Sequence, residues 1–290
     1  MSKLLRSLTH KMNFRSAFLV ALMLAATAPF SPAQTNAPAE KPTVPVAPPF
    51  SPEQKAFTDA AHNPSSDRPS PKADLQQFNK DGSLSTNFCT VDEAFRAQHE
   101  AFLKRKATPI GVLFIGDAIT AGWNRGGKAV WTQHYAKLAA ANFGISGDRT
   151  ENVLWRIANG EIDGISPKVV ILMIGTDNNN GTAIRITAGV TAIVKQINTK
   201  LPQSKLLLLG IFPRGVRDTD RLRVKMAAVN AELAKLHDGQ KTFYLEIWEQ
   251  FLAEDGSIPT EVMPDALHLS ARGYQIWADA MQPTLEALLK

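Results

Sequence analysis

Residue types that can do acid–base or nucleophilic chemistry gather in five short segments of the chain. The first reads Gly116-Asp117-Ala118-Ile119-Thr120. The second reads Asn142-Phe143-Gly144-Ile145-Ser146-Gly147-Asp148-Arg149-Thr150, and the third Gly175-Thr176-Asp177-Asn178-Asn179-Asn180. Phe212-Pro213-Arg214-Gly215 is the fourth, and Pro264-Asp265-Ala266-Leu267-His268-Leu269-Ser270 stands near the C-terminus. Between them they hold hydroxyls, carboxylates, a histidine and arginines. A hydroxyl attacks near neutral pH only with a base beside it, and that base needs a group to orient it. Other chemistries find less support. The single cysteine, Cys89, excludes a cysteine-built metal site and an intramolecular disulfide. His62, His99, His134 and His237 show no metal-ligand spacing. There is no phosphate-cradling Gly-rich loop, and no cofactor is expected.

These segments need elements to position them. Residues 111–116, 169–174 and 206–209 are continuous apolar runs, with weaker ones at 141–143 and 243–245. Apolar runs without alternation suit strands buried on both faces. Helical spacing covers residues 93–106, 150–158, 183–198, 222–236 and 270–289. Strand and helix therefore alternate. The pattern predicts an α/β fold, a three-layer α/β/α sandwich with a central parallel sheet of about five strands. Ligands of such sheets bind at the carboxyl ends of the strands. The chemistry-bearing segments lie there.

The ordered blocks resemble those of the SGNH, or GDSL-type, hydrolases. The branch they resemble most is that of the platelet-activating-factor acetylhydrolase catalytic subunits and their bacterial esterase relatives. Asn142-Phe143-Gly144-Ile145, Val153-Leu154-Trp155-Arg156, Asn159-Gly160-Glu161, Pro213-Arg214-Gly215 and Leu267-His268-Leu269-Ser270 carry the likeness, which runs from about residue 93 to the end. The resemblance implies transfer of an acyl group from a small ester, such as an acetylated carbohydrate, to water. It assigns His268 as the base and Asp265 as its orienter. It places the nucleophile at position 118. The oxyanion donors it implies are the backbone N–H of the nucleophile, Gly147, and an asparagine at position 177. Trp155 and Arg156 are expected in core packing and ion pairing, and Arg214 in holding either a substrate or a loop.

Two positions depart from that pattern. Ala118 stands where the nucleophilic serine belongs, and Asp177 where the oxyanion asparagine belongs. Ser146 replaces a glycine usual in close relatives. Loss of the serine alone costs a triad enzyme about 10⁶ in turnover. Loss of one oxyanion donor costs ~10²–10³. The expectation is a hydrolase by descent whose catalysis is lost or reduced. The alternatives are a glycan- or acyl-ester-binding module, a relocated nucleophile at Ser146 or Thr120, and water activated by His268. A one-residue slip of the third loop would also bring Asn178 into the place of Asp177.

Composition frames the domain. The chain has 290 residues, a net charge of +5, 44% hydrophobic and 20% charged residues, which excludes a mostly disordered or collagenous protein. Residues 1–33 carry Lys3, Arg6, Lys11 and Arg15, no acid, an apolar run at 17–26 and Ser31-Pro32-Ala33. That order reads as a secretory signal peptide, and implies an exported protein, periplasmic or extracellular. An uncleaved anchor is the alternative, though the run is shorter than the ~20 residues of a membrane span. Without those four basic residues the net charge is +1, so no nucleic-acid partner is expected. Residues 34–92 read as a Pro/Ala/Ser-rich spacer and lead-in. Residues 93–290 form the hydrolase-like domain, of undetermined oligomeric state.

Overall fold

The computed structural model describes residues 92–290. The expected signal peptide, and the spacer up to residue 91, lie outside the described residues. Asp92 opens helix α1 (Glu93–Arg105), its carboxylate accepting the Phe95 N–H at 2.8 Å, as an N-cap does. Five strands follow: β1 (Val112–Gly116), β2 (Ala140–Gly144), β3 (Val169–Met173), β4 (Lys205–Leu209) and β5 (Thr242–Leu245). They form one parallel sheet in the order β2-β1-β3-β4-β5. Every residue of β1 and β3 is buried, which explains their unbroken apolar sequences.

Helices cover both faces. On one face, Leu113, Ile115, Phe143, Val170, Leu172 and Leu208 pack beneath α4 (Thr150–Ala158), α5 (Ala183–Lys200) and α6 (Arg221–Leu233). Phe102 of α1 stacks on Phe143 from the same side at 4.4 Å. On the other face, Phe114, Ile171 and Leu207 meet an aromatic group that includes Trp123 and Trp277 of helix α7 (Ala271–Leu289). The result is the expected three-layer α/β/α sandwich. Two helices were not anticipated: α2 (Ala118–Ala121) and α3 (Lys128–His134). The first is a single turn and the second spans two, too short for a periodic pattern to register. Among the described residues, no helix is long and apolar enough to cross a membrane.

The register aligns the strand ends. Gly116 pairs with Gly144 on one side and Met173 on the other. Strand order reverses about β1, so the loops after β1 and β3 diverge and leave a crevice between them. Ala118 and Asp177 follow those two strands.

Candidate active site

Position 118 is fixed tightly. Asp117 caps α2, its Oδ1 accepting the Ile119 N–H at 3.0 Å, and Ala118 is the first helical residue. The helix turn lies hard against the sheet. A Cβ on Gly116 would collide with Thr120 Oγ1 and the Met173 carbonyl, and one on Gly144 with the backbone of Thr120 and Ala121. Asn142 locks the same contact. Its Nδ2 donates to the Thr120 carbonyl at 2.9 Å while its Oδ1 accepts the Gly144 N–H at 3.0 Å. From the other side, the Tyr274 hydroxyl donates to the Ile119 carbonyl at 2.6 Å. Thr120 is buried with its hydroxyl over Gly116, facing the sheet. It is not placed to act as a relocated nucleophile. Ser146 and Gly147 are exposed on the loop after β2. Gly147 has φ +83°, a left-handed conformation that favours glycine, and nothing lies within 4 Å of where a Cβ would stand.

The expected Asp–His pair is in contact. His268 Nδ1 lies 2.6 Å from Asp265 Oδ2, and Asp265 Oδ1 accepts the N–H groups of Leu267 and His268 at 3.1 and 2.7 Å. Burial opposes ionisation of Asp265, but the bonds from His268 outweigh it and hold its carboxyl below the ordinary carboxylate range. Ala266 between them adopts φ +55°, a strained conformation for a residue with a Cβ. Hydrogen bonds from Gly215 N–H to Ala266 O and from Ala266 N–H to Met263 O hold it there.

Asp177 is half-buried. Burial raises its carboxyl above the ordinary range, against the opposing charges of Arg214, His268 and Arg149. Asp117 is fully buried, and its carboxyl is pushed well upward, first by desolvation and then by the charge of Asp177. Asn178 is committed elsewhere. Its Oδ1 accepts the Thr150 N–H at 3.1 Å, capping α4, and its Nδ2 donates to Thr150 Oγ1 and Glu151 Oε2. The slip that would make Asn178 an oxyanion donor is therefore corrected: both amide hydrogens are used within the scaffold. Arg214 holds a loop. Its Nη1 donates to the Thr176 carbonyl at 2.6 Å and to Asn179 Oδ1 at 2.8 Å.

Matched against known proteins, residues 114–276 fit the model of the GDSL-like Lipase/Acylhydrolase family. The chain belongs to that family. GDSL relatives include platelet-activating factor acetylhydrolase IB subunit alpha2 of Rattus norvegicus, 40% identical over 188 residues, covering 63% of this chain and 80% of the relative. The alpha1 subunit of Homo sapiens is 38% identical over 179 residues, covering 61% and 76%. A GDSL-like lipase structure from Bacteroides thetaiotaomicron shares the fold, with a TM-score of 0.56 at 18% identity, covering 66% of this chain and 98% of that one. The chain is thus an ester-hydrolase homologue.

One part of this GDSL site was only partly legible. Arg156 is fully buried, ion-paired to Asp148 at 2.8 Å and to Glu161. It also donates to the Phe143 carbonyl at 3.0 Å and lies 3.4 Å from the Gly116 carbonyl. It thereby clamps the ends of β1 and β2 and the loop that carries Gly147. His99 of α1 reaches Glu161 at 3.1 Å. One guanidinium faces two carboxylates in a dry interior, and desolvation pushes Asp148 up to about 7 although Arg156 opposes it. The available signal was a charged residue on the apolar stripe of α4, between Val153 and Ile157.

Proposed function

We propose that this chain is an exported GDSL-family protein in which serine-dependent ester hydrolysis has been lost, leaving a pocket that binds a small acyl-ester or carbohydrate ligand. The observation that carries the reading is Ala118. It is the first residue of α2, locked in register by the Asp117 cap and the packing of Gly116 and Gly144, so no neighbouring hydroxyl slides into its place. The second departure, Asp177, supports it. A carboxylate beside a developing oxyanion repels it by about 4 kcal/mol at ~4 Å and an effective dielectric of ~20. Export rests on the basic-then-apolar order of residues 1–33.

The test is hydrolysis of short-chain aryl esters and acetylated glycans by the wild type, Ala118→Ser and Ala118→Ser/Asp177→Asn. No turnover is expected from the wild type, and turnover is expected in the double variant. Wild-type turnover at enzyme-like rates, abolished by His268→Ala, refutes the reading. The intact Asp265–His268 pair favours one second reading, slow hydrolysis by water that His268 activates. Weak wild-type turnover that His268→Ala removes and Ser146→Ala leaves unchanged would select it.

A further inference from the structure

Arg223 is the third residue of α6 and is buried, only 3% exposed. A cation there is unfavourable twice over. Its charge has left water, and it stands in the first turn, at the positive end of the helix dipole. Its hydrogen bonds show what offsets the cost. Each guanidinium nitrogen donates to a main-chain carbonyl outside the helix: Nε to Arg214 at 3.1 Å, Nη1 to Gly256 at 2.6 Å, and Nη2 to Gly215. These carbonyls belong to two segments, one after β4 and one beyond β5. Both segments lead to Ala266. The Gly215 N–H donates to the Ala266 carbonyl at 2.9 Å. Beyond Gly256, Ile258, Val262 and Met263 are buried, and the Met263 carbonyl accepts the Ala266 N–H at 3.0 Å. The peptide groups on either side of Ala266 are thus held from the two segments that Arg223 grips. The chain turns at Ala266 with φ +55°, and His268 Nδ1 comes to lie 2.6 Å from Asp265 Oδ2. A residue with a Cβ keeps such a backbone only where its surroundings over-determine it.

We propose that Arg223 is a positioning residue for His268: by fixing Gly215 and Gly256 it holds the Ala266 turn, and the turn keeps Asp265 on Nδ1. The neutral ring then carries its proton on Nδ1 and leaves Nε2 as the basic nitrogen. The planar fork matters as well as the charge. A lysine presents one nitrogen in place of three spaced across a plane. Lys225, one turn-face away on the same helix and also buried, grips a different loop through the carbonyls of Asn179 and Gly181 at 3.1 and 2.8 Å.

The experiment reads the His268 tautomer by long-range ¹H–¹⁵N correlation on the histidine-labelled full chain, at alkaline pH where the imidazole is neutral. His268→Gln assigns the signals. The wild type should show the Nδ1–H form. In Arg223→Met and Arg223→Lys the ratio of Nδ1–H to Nε2–H should fall about tenfold or more, the factor that a hydrogen bond to a charged group supports. Lys225→Met removes a buried cation from the same helix and should leave the tautomer unchanged. Ala266→Gly, added to Arg223→Lys, should restore the Nδ1–H form, because glycine adopts the turn without strain. Where Arg223→Met does not fold, Arg223→Lys decides. An Nε2–H ring in the wild type, an unchanged ratio in folded Arg223→Lys, an equal shift in Lys225→Met or no rescue by Ala266→Gly overturns the proposal. The readout needs no turnover, so it stands or falls independently of whether hydrolysis has been lost.

Discussion

Replacing Arg156 by methionine tests how the site is held. The substitution keeps an unbranched side chain of similar reach but removes the guanidinium. Asp148 and Glu161, 1% and 0% exposed at the side chain, then lose their buried counter-charge. The carbonyls of Phe143 and Gly116 lose a donor as well. Breaking a buried pair by removing one partner costs about 3–5 kcal/mol. For a domain of this size each kcal/mol shifts the melting point by roughly 2–4 °C, so a fall of about 6–20 °C is expected. Part of the cost disappears when the stranded carboxylates take up protons, so the fall should be larger at pH 8 than at pH 5. Thermal and urea melts at both pH values, for Arg156→Met, Asp148→Asn and the double variant, give the coupling between the two residues. The double variant should be more stable than the two single costs added together. A loss below about 1 kcal/mol at pH 8, or independent effects of the two residues, refutes the clamp.

Other consequences are as direct. The folded chain holds a proton on Asp148 up to about pH 7, while the unfolded chain releases it near the ordinary carboxylate value, so the folded state binds more protons in between. Stability from this group is therefore complete at low pH and is lost as pH rises, by up to about 3 kcal/mol between pH 5 and 8, and Asp148→Asn should flatten the calorimetric profile. Stability that rises over that window in the wild type would contradict it. Gly144→Ala drives a Cβ into the backbone of α2 and should destabilise by about 1–3 kcal/mol in a urea melt; a wild-type midpoint argues against the close packing. Asn178→Ala strips the Thr150 N–H and Glu151 of buried partners, at about 1–3 kcal/mol, and amide exchange at the start of α4 should accelerate. Unchanged protection there would show the cap to be dispensable.

The strands were legible because burial on both faces leaves a continuous apolar run. The Asp–His pair was legible because its partners are close in sequence, Asp265 and His268 sharing one turn of chain. Contacts between distant segments were harder to read. Nothing in the run 177–180 distinguishes an asparagine aimed at the pocket from one that caps a helix 28 residues earlier, since both are polar residues in a loop. Thr120 read as an available hydroxyl because sequence spacing does not reveal that its side chain faces the sheet. Arg156 was expected in ion pairing, yet its two carboxylates and two strand-end carbonyls come from four separate places in the chain.

The cap of α2 has a consequence for descent. Because the Asp117 carboxylate starts the helix and the Tyr274 hydroxyl grips it at Ile119, the side chain at 118 has no part in these contacts. A lineage could therefore exchange serine for alanine there without exposing the fold to selection. Alanine and serine codons can differ at the first base alone, as can those of aspartate and asparagine. Two base changes thus separate this chain from the serine and asparagine that the sequence resemblance implies at positions 118 and 177, with the helix start, the strand ends and the Asp–His pair already in place.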